Sequence, residues 1–154
     1  VIMAALMQGA ADGRVVARAL AQMQEPQHRE AAVLERAHAM TDVTGFGLAG
    51  HVQVMARASD LDAVLWRDEI PVYEGARDLS DAGVASTLMP VNRADAQVEG
   101  LDDPLLYDPQ TAGGLLAAVA PDQVDAVMAA LGAAGCKGHR IGELKAGSGR
   151  VTLR

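Results

Sequence analysis

The chain has 154 residues, half of them hydrophobic, and a formal net charge of −7. That length allows one domain with a real core, spanning 1–154, rather than two. The acidic balance, with Lys and Arg scattered, excludes an open nucleic-acid surface, and no stretch reaches the roughly 18 apolar residues of a membrane span.

The first residues, Val1 to Met7, form an apolar run that reads as a strand and lacks the basic flank of a secretory signal. Because it opens in the middle of such a run with no methionine first, a fragment of a longer protein is expected. After the breaks at Gly9 and Gly13, Val16, Leu20 and Met23 recur at i, i+4 and i+7, which predicts a helix over 13–24. Pro26 stops it, and a second helical piece rich in Ala, Glu and Arg covers 27–36.

Residues 37–43 read as a β-type run and lead into a glycine-rich turn. The following helix carries Leu48, Val52 and Met55 on one face and ends near Ser59 and Asp60. Alternation over 63–66 predicts a strand, and 73–81 a helix with Gly83 where a left-handed cap is wanted. Residues 86–101 show no period and contain Pro90, so an irregular connection is expected there.

A turn cluster, Asp108 to Gly114, precedes the apolar run 115–120, which reads as a buried strand. Pro121 begins a helix with Val124, Val127, Met128 and Leu131 in one stripe. Residues 137–144 and 149–153 read as two strands joined by a turn at 145–148, forming a hairpin. The lone cysteine, Cys136, reads as an unreactive thiol at a strand start; it permits no internal disulfide and fits a reducing compartment. Strands and helices mixed in this order predict an α+β fold, a mixed sheet covered by helices.

The chemistry concentrates in His38 to His51. A carboxylate, Asp42, is carried by a short strand into a glycine-rich turn that opens a helix, a joint suited to a phosphate and its cation. Gly45, Gly47 and Gly50 spell G-x-G-x-x-G, and Asp68 stands about 20 residues on, where a ribose-binding acid belongs in a dinucleotide fold. The preceding strand is short and polar, however, and Asp42 would repel a bare pyrophosphate, so that reading is set aside. Asp42 is then either a hard ligand for Mg²⁺ bridging to phosphates or, like Thr44, a cap for the helix.

His51 falls near the apolar face of the same helix and reads as a hydrogen-bonded structural residue, while His28, His38 and His139 have no metal-ligand spacing. Asp108 reads as a turn-holder that accepts backbone N–H groups, and Gly113–Gly114 permit a close backbone approach. Both glycine-rich loops are expected to border one cleft.

Ala39-Met40-Thr41-Asp42-Val43-Thr44-Gly45-Phe46-Gly47-Leu48-Ala49-Gly50-His51, then Leu106-Tyr107-Asp108-Pro109-Gln110-Thr111-Ala112-Gly113-Gly114-Leu115-Leu116, and finally Ile141-Gly142-Glu143-Leu144, resemble the selenide, water dikinase (selenophosphate synthetase) family. The likeness extends over nearly the whole chain. It implies a C-terminal domain of the aminoimidazole-ribonucleotide-synthetase type, from a cytoplasmic, homodimeric enzyme that makes selenophosphate, AMP and orthophosphate from selenide, ATP and water. It implies that Asp42 is a Mg²⁺ ligand, that Thr44, Gly45 and Gly47 border the nucleotide, and that no catalytic residue lies in this domain. The other metal ligands, the catalytic lysine and the cysteine or selenocysteine belong to an N-terminal domain absent from the chain, whose roles Cys136 does not inherit.

Two departures stand out. Residues 88–94 replace a Gly-Gly-Thr/Ser-x-Arg-Asn loop common in that family, and Ala112 stands where serine is usual. The alternatives are a non-catalytic docking domain of the same fold in a fusion protein, or a sister kinase of the superfamily, such as thiamine-monophosphate kinase or a hydrogenase-maturation protein.

Overall fold

A computed structural model describes residues 1–154. The first run is a helix, α1 (Ile2–Met7), and not the expected strand. Ala, Leu and Met favour helix, and burial follows one helical side: Val1, Ile2 and Ala5 are covered while Leu6 and Met7 are exposed. Alternate residues would have been buried in a strand.

Asp12 caps α2 (Gly13–Met23) by accepting the N–H of Arg14 at 2.7 Å. The covered stripe of α2 is Val16 and Ala19 rather than Val16 and Leu20, because the small Ala19 lets α2 approach α1. The second helical piece is α3 (His28–Val33), continued by a tighter 3₁₀ turn at Leu34–Arg36.

β1 (Ala39–Asp42) is followed by α4 (Gly47–Ala58) and β2 (Leu61–Leu65). α5 (Ala76–Asp81) ends as expected: Gly83 is left-handed at φ 86, its N–H donates to Ser80 O, and Val84 N–H donates to Leu79 O. The supposed irregular connection contains α6 (Met89–Ala96) and a two-residue strand β3 (Glu99–Gly100). Pro90 lies in the first turn of α6, where a missing N–H costs no intrahelical bond.

β4 (Leu115–Ala118) is a little shorter than expected, and a 3₁₀ turn at Pro121–Gln123 opens α7 (Val124–Ala133). The last strands are β5 (Gly142–Ala146) and β6 (Val151–Leu153). Cys136 therefore lies in the turn after α7 rather than at a strand start. Burial raises the pKa of its half-covered thiol, with Glu30 adding to the effect.

β5 and β6 do not form a hairpin. The larger sheet has the order β3-β6-β2-β5, so β2 runs between them, antiparallel to β5 and parallel to β6. The link 147–150 instead passes across the start of β2, where Gly147 N–H reaches Asp60 O and Gly149 N–H reaches Leu61 O. The Asp62 carboxylate fixes that crossing by accepting from the N–H groups of Ser148 and Arg150 and from the Arg150 guanidinium.

β1 and β4 form a separate antiparallel pair, with Asp42 opposite Leu115. The α+β expectation holds, with two sheets in place of one. The main core lies where α4 covers the larger sheet: Ala49, Val52 and Ala56 meet Ala63, Leu65 and Val151. Alanines at 49 and 56 bring the helix close, which leaves the longer Leu48 and Met55 only partly covered.

Candidate functional site

β1 delivers Asp42 to the end of the smaller sheet, and the chain then turns through Thr44–Phe46 into α4. No side chain caps α4, whose N-cap residue is Phe46. Neither Asp42 nor Thr44 takes the capping role allowed by their spacing. For Thr44 the alternative partner is His51, one turn into the helix: its Nε2 accepts the Thr44 N–H at 3.0 Å and lies 3.2 Å from the Thr44 hydroxyl. Phe46 tilts against the His51 ring, with centroids 5.7 Å apart. His51 is thus the hydrogen-bonded structural residue expected, and its acceptor role requires an unprotonated Nε2.

The second loop is bonded directly to this turn. Gln110 N–H donates to Thr44 O, Gly113 N–H to Val43 O, and Val43 N–H to Gly114 O, each at 3.0 Å. Gly113 is buried with its Cα facing the Val43 carbonyl, so a Cβ there would collide with that oxygen. Gly47, at φ 68, is pressed against Leu106 in the same way; a Cβ would come within 2.7 Å of the Leu106 oxygen. Gln27 adds a side-chain bond to Gly113 O at 2.6 Å.

Asp108 is buried at 8% exposure, but it does not hold its own turn as expected. No backbone N–H of the turn donates to its carboxylate; its Oδ2 lies 3.5 Å from the Gln110 amide nitrogen and its Oδ1 has no partner. The Gln110 side chain holds the turn instead by donating to the Asp108 carbonyl at 3.0 Å. Just upstream, the buried Asp103 receives Arg77 at 2.6 Å and Arg67 at 3.1 Å and accepts the Leu105 N–H, which fixes the 3₁₀ turn leading into the loop. Burial opposes the charge on Asp103, yet these partners hold its pKa below the usual value.

Gly45, Asp108, Gln110 and Gly113 are among the residues lining an open, mostly apolar groove of about 1780 Å³ that extends along much of the molecule; what joins the two glycine-rich loops is their backbone hydrogen bonding. Asp42 and Thr44 lie outside the lining of the groove.

The residues singled out in the first motif divide by their surroundings. The N–H groups of Thr44 and Gly47 are already bonded, to His51 and to Thr44 O. Gly45 is exposed, and its carbonyl is taken by Asn92, a contact that sequence reasoning missed. Asp42 is exposed, with its carboxylate in no ion pair or hydrogen bond. No group of three His, Cys, Asp or Glu side chains could enclose a metal. A single free carboxylate fits the part of one Mg²⁺ ligand, since magnesium commonly takes one or two carboxylates and completes its shell with water and phosphate oxygens.

The topology also disposes of the dinucleotide fingerprint. β1 and β2, which flank α4, belong to different sheets, so they form no βαβ unit.

The AIR synthase related protein, C-terminal domain family matches residues 1–154. Among curated proteins, the chain is 42% identical over 106 residues to a selenide, water dikinase of Dechloromonas aromatica (strain RCB), covering 63% of this chain and 30% of that protein. It is 40% identical over 133 residues to a selenide, water dikinase of Burkholderia orbicola (strain MC0-3), covering 80% of this chain and 38% of that protein. The chain thus spans about a third of the length of these relatives. A solved structure of the hydrogenase maturation protein HypE matches 94% of the chain and 38% of its own, with a TM-score of 0.52 and 20% identity, a likeness of fold. The chain belongs to the AIR synthase related C-terminal domain family, and the two curated relatives compared above are named selenide, water dikinase.

Proposed function

We propose that the chain is the C-terminal domain of a selenide, water dikinase, in which it closes the nucleotide cleft and contributes one Mg²⁺ ligand, Asp42. The observation that carries this reading is the state of Asp42. It is an exposed, unpaired carboxylate at a strand end, next to a turn braced on both sides, in a chain whose relatives bear that name.

Bound there, Mg²⁺ would neutralise charge developing on the phosphates of ATP as selenide, ATP and water become selenophosphate, AMP and orthophosphate. The chain's own residues hold and shape. His51 and Gln110 fix the backbone of Thr44, the exposed Gly45 lets a phosphate approach without a side chain in the way, and Gly47 seats the helix against Leu106. Thr44, Gly45 and Gly47 border the nucleotide in this reading.

The remaining metal ligands and the catalytic groups would come from an N-terminal domain. The exposed area supports further polypeptide: 9116 Å² is accessible, against about 7400 Å² expected from the mass of a closed monomer. ATP, selenide, that domain and a second copy of the enzyme are the proposed partners, in the cytoplasm.

The test is Asp42→Asn in the full-length protein, read as the Mg²⁺ dependence of selenide-dependent AMP formation and as Mn²⁺ binding by electron paramagnetic resonance. A rise of tenfold or more in half-saturating metal is expected, on the order of losing a charged ligand. Unchanged metal dependence would remove Asp42 from the site. The isolated domain should form no AMP from Mg-ATP and selenide, and appreciable turnover would overturn the division of labour.

A further inference from the structure

The segment 88–94, which departs from the pattern common in the resembled family, folds as the first part of α6, and the residue it buries most deeply is polar. Asn92 is 7% exposed in the middle of a helix. Asparagine is a poor helix former, and a buried amide is costly unless bonded. A leucine would satisfy both demands better, so packing alone gives no reason for an amide here.

The hydrogen bonds supply one. The Asn92 Nδ2 donates to Gly45 O at 2.8 Å and to Tyr107 O at 3.0 Å. One NH₂ group has two hydrogens, and here each goes to a different loop. Gly45 comes three residues after Asp42, and Tyr107 comes immediately before Asp108. Gly45 lies in the turn before α4 and Tyr107 closes the 3₁₀ turn Pro104–Tyr107, so neither carbonyl has a helix or strand partner further along the chain, and the buried Tyr107 oxygen in particular needs a donor.

α6 is itself held firmly enough to act as a strut. Gln53 of α4 donates to Ala96 O at 2.6 Å, and Arg93 pairs with Asp102 at 2.7 Å while lying 5.6 Å from the centroid of the Tyr107 ring. The backbone bonds Gln110–Thr44 and Gly113–Val43 join the loops along one edge, and Asn92 braces them from the helix side.

We propose that Asn92 is a positioning residue that sets the glycine turn, and with it Asp42, against the second loop. The side-chain chemistry is restrictive. Leucine has no donor, aspartate would aim an acceptor at two carbonyls, and serine could serve only one loop, whereas glutamine keeps the fork on a longer stem. The proposal rests on the reading of Asp42 as a Mg²⁺ ligand.

The experiment compares Asn92→Leu, Asn92→Asp, Asn92→Ser and Asn92→Gln with Asp42→Asn in the full-length protein. Three quantities are read: Mn²⁺ binding by electron paramagnetic resonance without selenide, half-saturating Mg²⁺ for turnover, and hydrogen exchange of the amides at 44–47. Removing a residue that orients a metal ligand typically weakens metal affinity about 10–100-fold. Asn92→Leu and Asn92→Asp are therefore expected to weaken metal binding at least tenfold, with turnover restored by excess Mg²⁺ and with faster exchange at 44–47. Asn92→Gln should recover part of the loss and Asn92→Ser less.

If Asn92→Leu does not accumulate, the same comparison is carried by Asn92→Ser, where wild-type metal binding overturns the proposal. A fall in melting temperature with unchanged metal affinity and unchanged exchange at 44–47 likewise overturns it, because Asn92 would then be only structural. If Asp42→Asn shifts metal binding and the Asn92 variants do not, the positioning role falls while the Asp42 reading stands. If Asp42→Asn has no effect, the underlying reading falls first, and the positioning role with it.

Discussion

Gly113 donates its N–H to the carbonyl oxygen of Val43 at 3.0 Å, and the same oxygen occupies the space where a side chain at 113 would begin. Gly114 next to it has open space around its Cα. Gly113→Ala should therefore cost about 1–3 kcal/mol through forced separation of the two loops, while Gly114→Ala stays within about 0.5 kcal/mol. Urea unfolding of the pair decides the matter, since equal losses would mean that the close approach at 113 is not a constraint.

His51 accepts the N–H of Thr44, so His51→Leu leaves that donor without its partner. A half-buried, unsatisfied donor costs on the order of 1 kcal/mol. The local readout is hydrogen exchange at Thr44, which should accelerate in the variant more than exchange at the centre of α4. Uniform acceleration across α4 would argue instead for general loosening.

Asp103 is 4% exposed at its side chain, whereas its partners Arg67 and Arg77 are 41% and 34% exposed. Because solvent screens the two arginines, Asp103→Ala should cost about 2 kcal/mol rather than the 3–5 of a fully buried pair. Arg77→Met should cost more than Arg67→Met, since the Arg77 contact is the shorter, 2.6 against 3.1 Å. Chemical denaturation of the three variants tests the order, and the reverse ranking would refute it.

Asp62 links acidity to the strand crossing. The N–H groups of Ser148 and Arg150 lead in lowering its pKa from the ordinary 3.8 to about 2, with the Arg150 guanidinium assisting. A carboxyl with a depressed folded-state pKa contributes stability that is present above its unfolded value and is lost as the pH falls through its folded one. The stability difference between wild type and Asp62→Asn should therefore be constant above about pH 5 and shrink as the pH falls through 3.8 toward about 2. A difference that held constant down to pH 2 would show that the clasp does not titrate.

The local signals were legible where one face or one residue type determines the outcome. The stripe of α7, the strand β1 and the left-handed Gly83 all follow from neighbours in the chain. Pro90 was misleading because a proline reads as a breaker until its position within the helix is known, and here it opens α6. The hairpin was misleading because a four-residue link between strands normally pairs them. Nothing in 142–153 reveals that β2 will enter between them, or that Asp62, more than eighty residues earlier, will clasp the link.

The candidate site divides in the same way. By itself the sequence determined the two glycine-rich motifs, the acid at Asp42 and the family they resemble, since each depends on residue order alone. Only the tertiary structure decided which backbone groups remain free, that Thr44 bonds His51 instead of capping α4, and that Asn92 joins Gly45 to Tyr107. The physical reason is that hydrogen bonds in irregular loops follow no sequence period. Their partners lie 7, 15 and 47 residues apart and meet only when α4, α6 and the second loop have packed together.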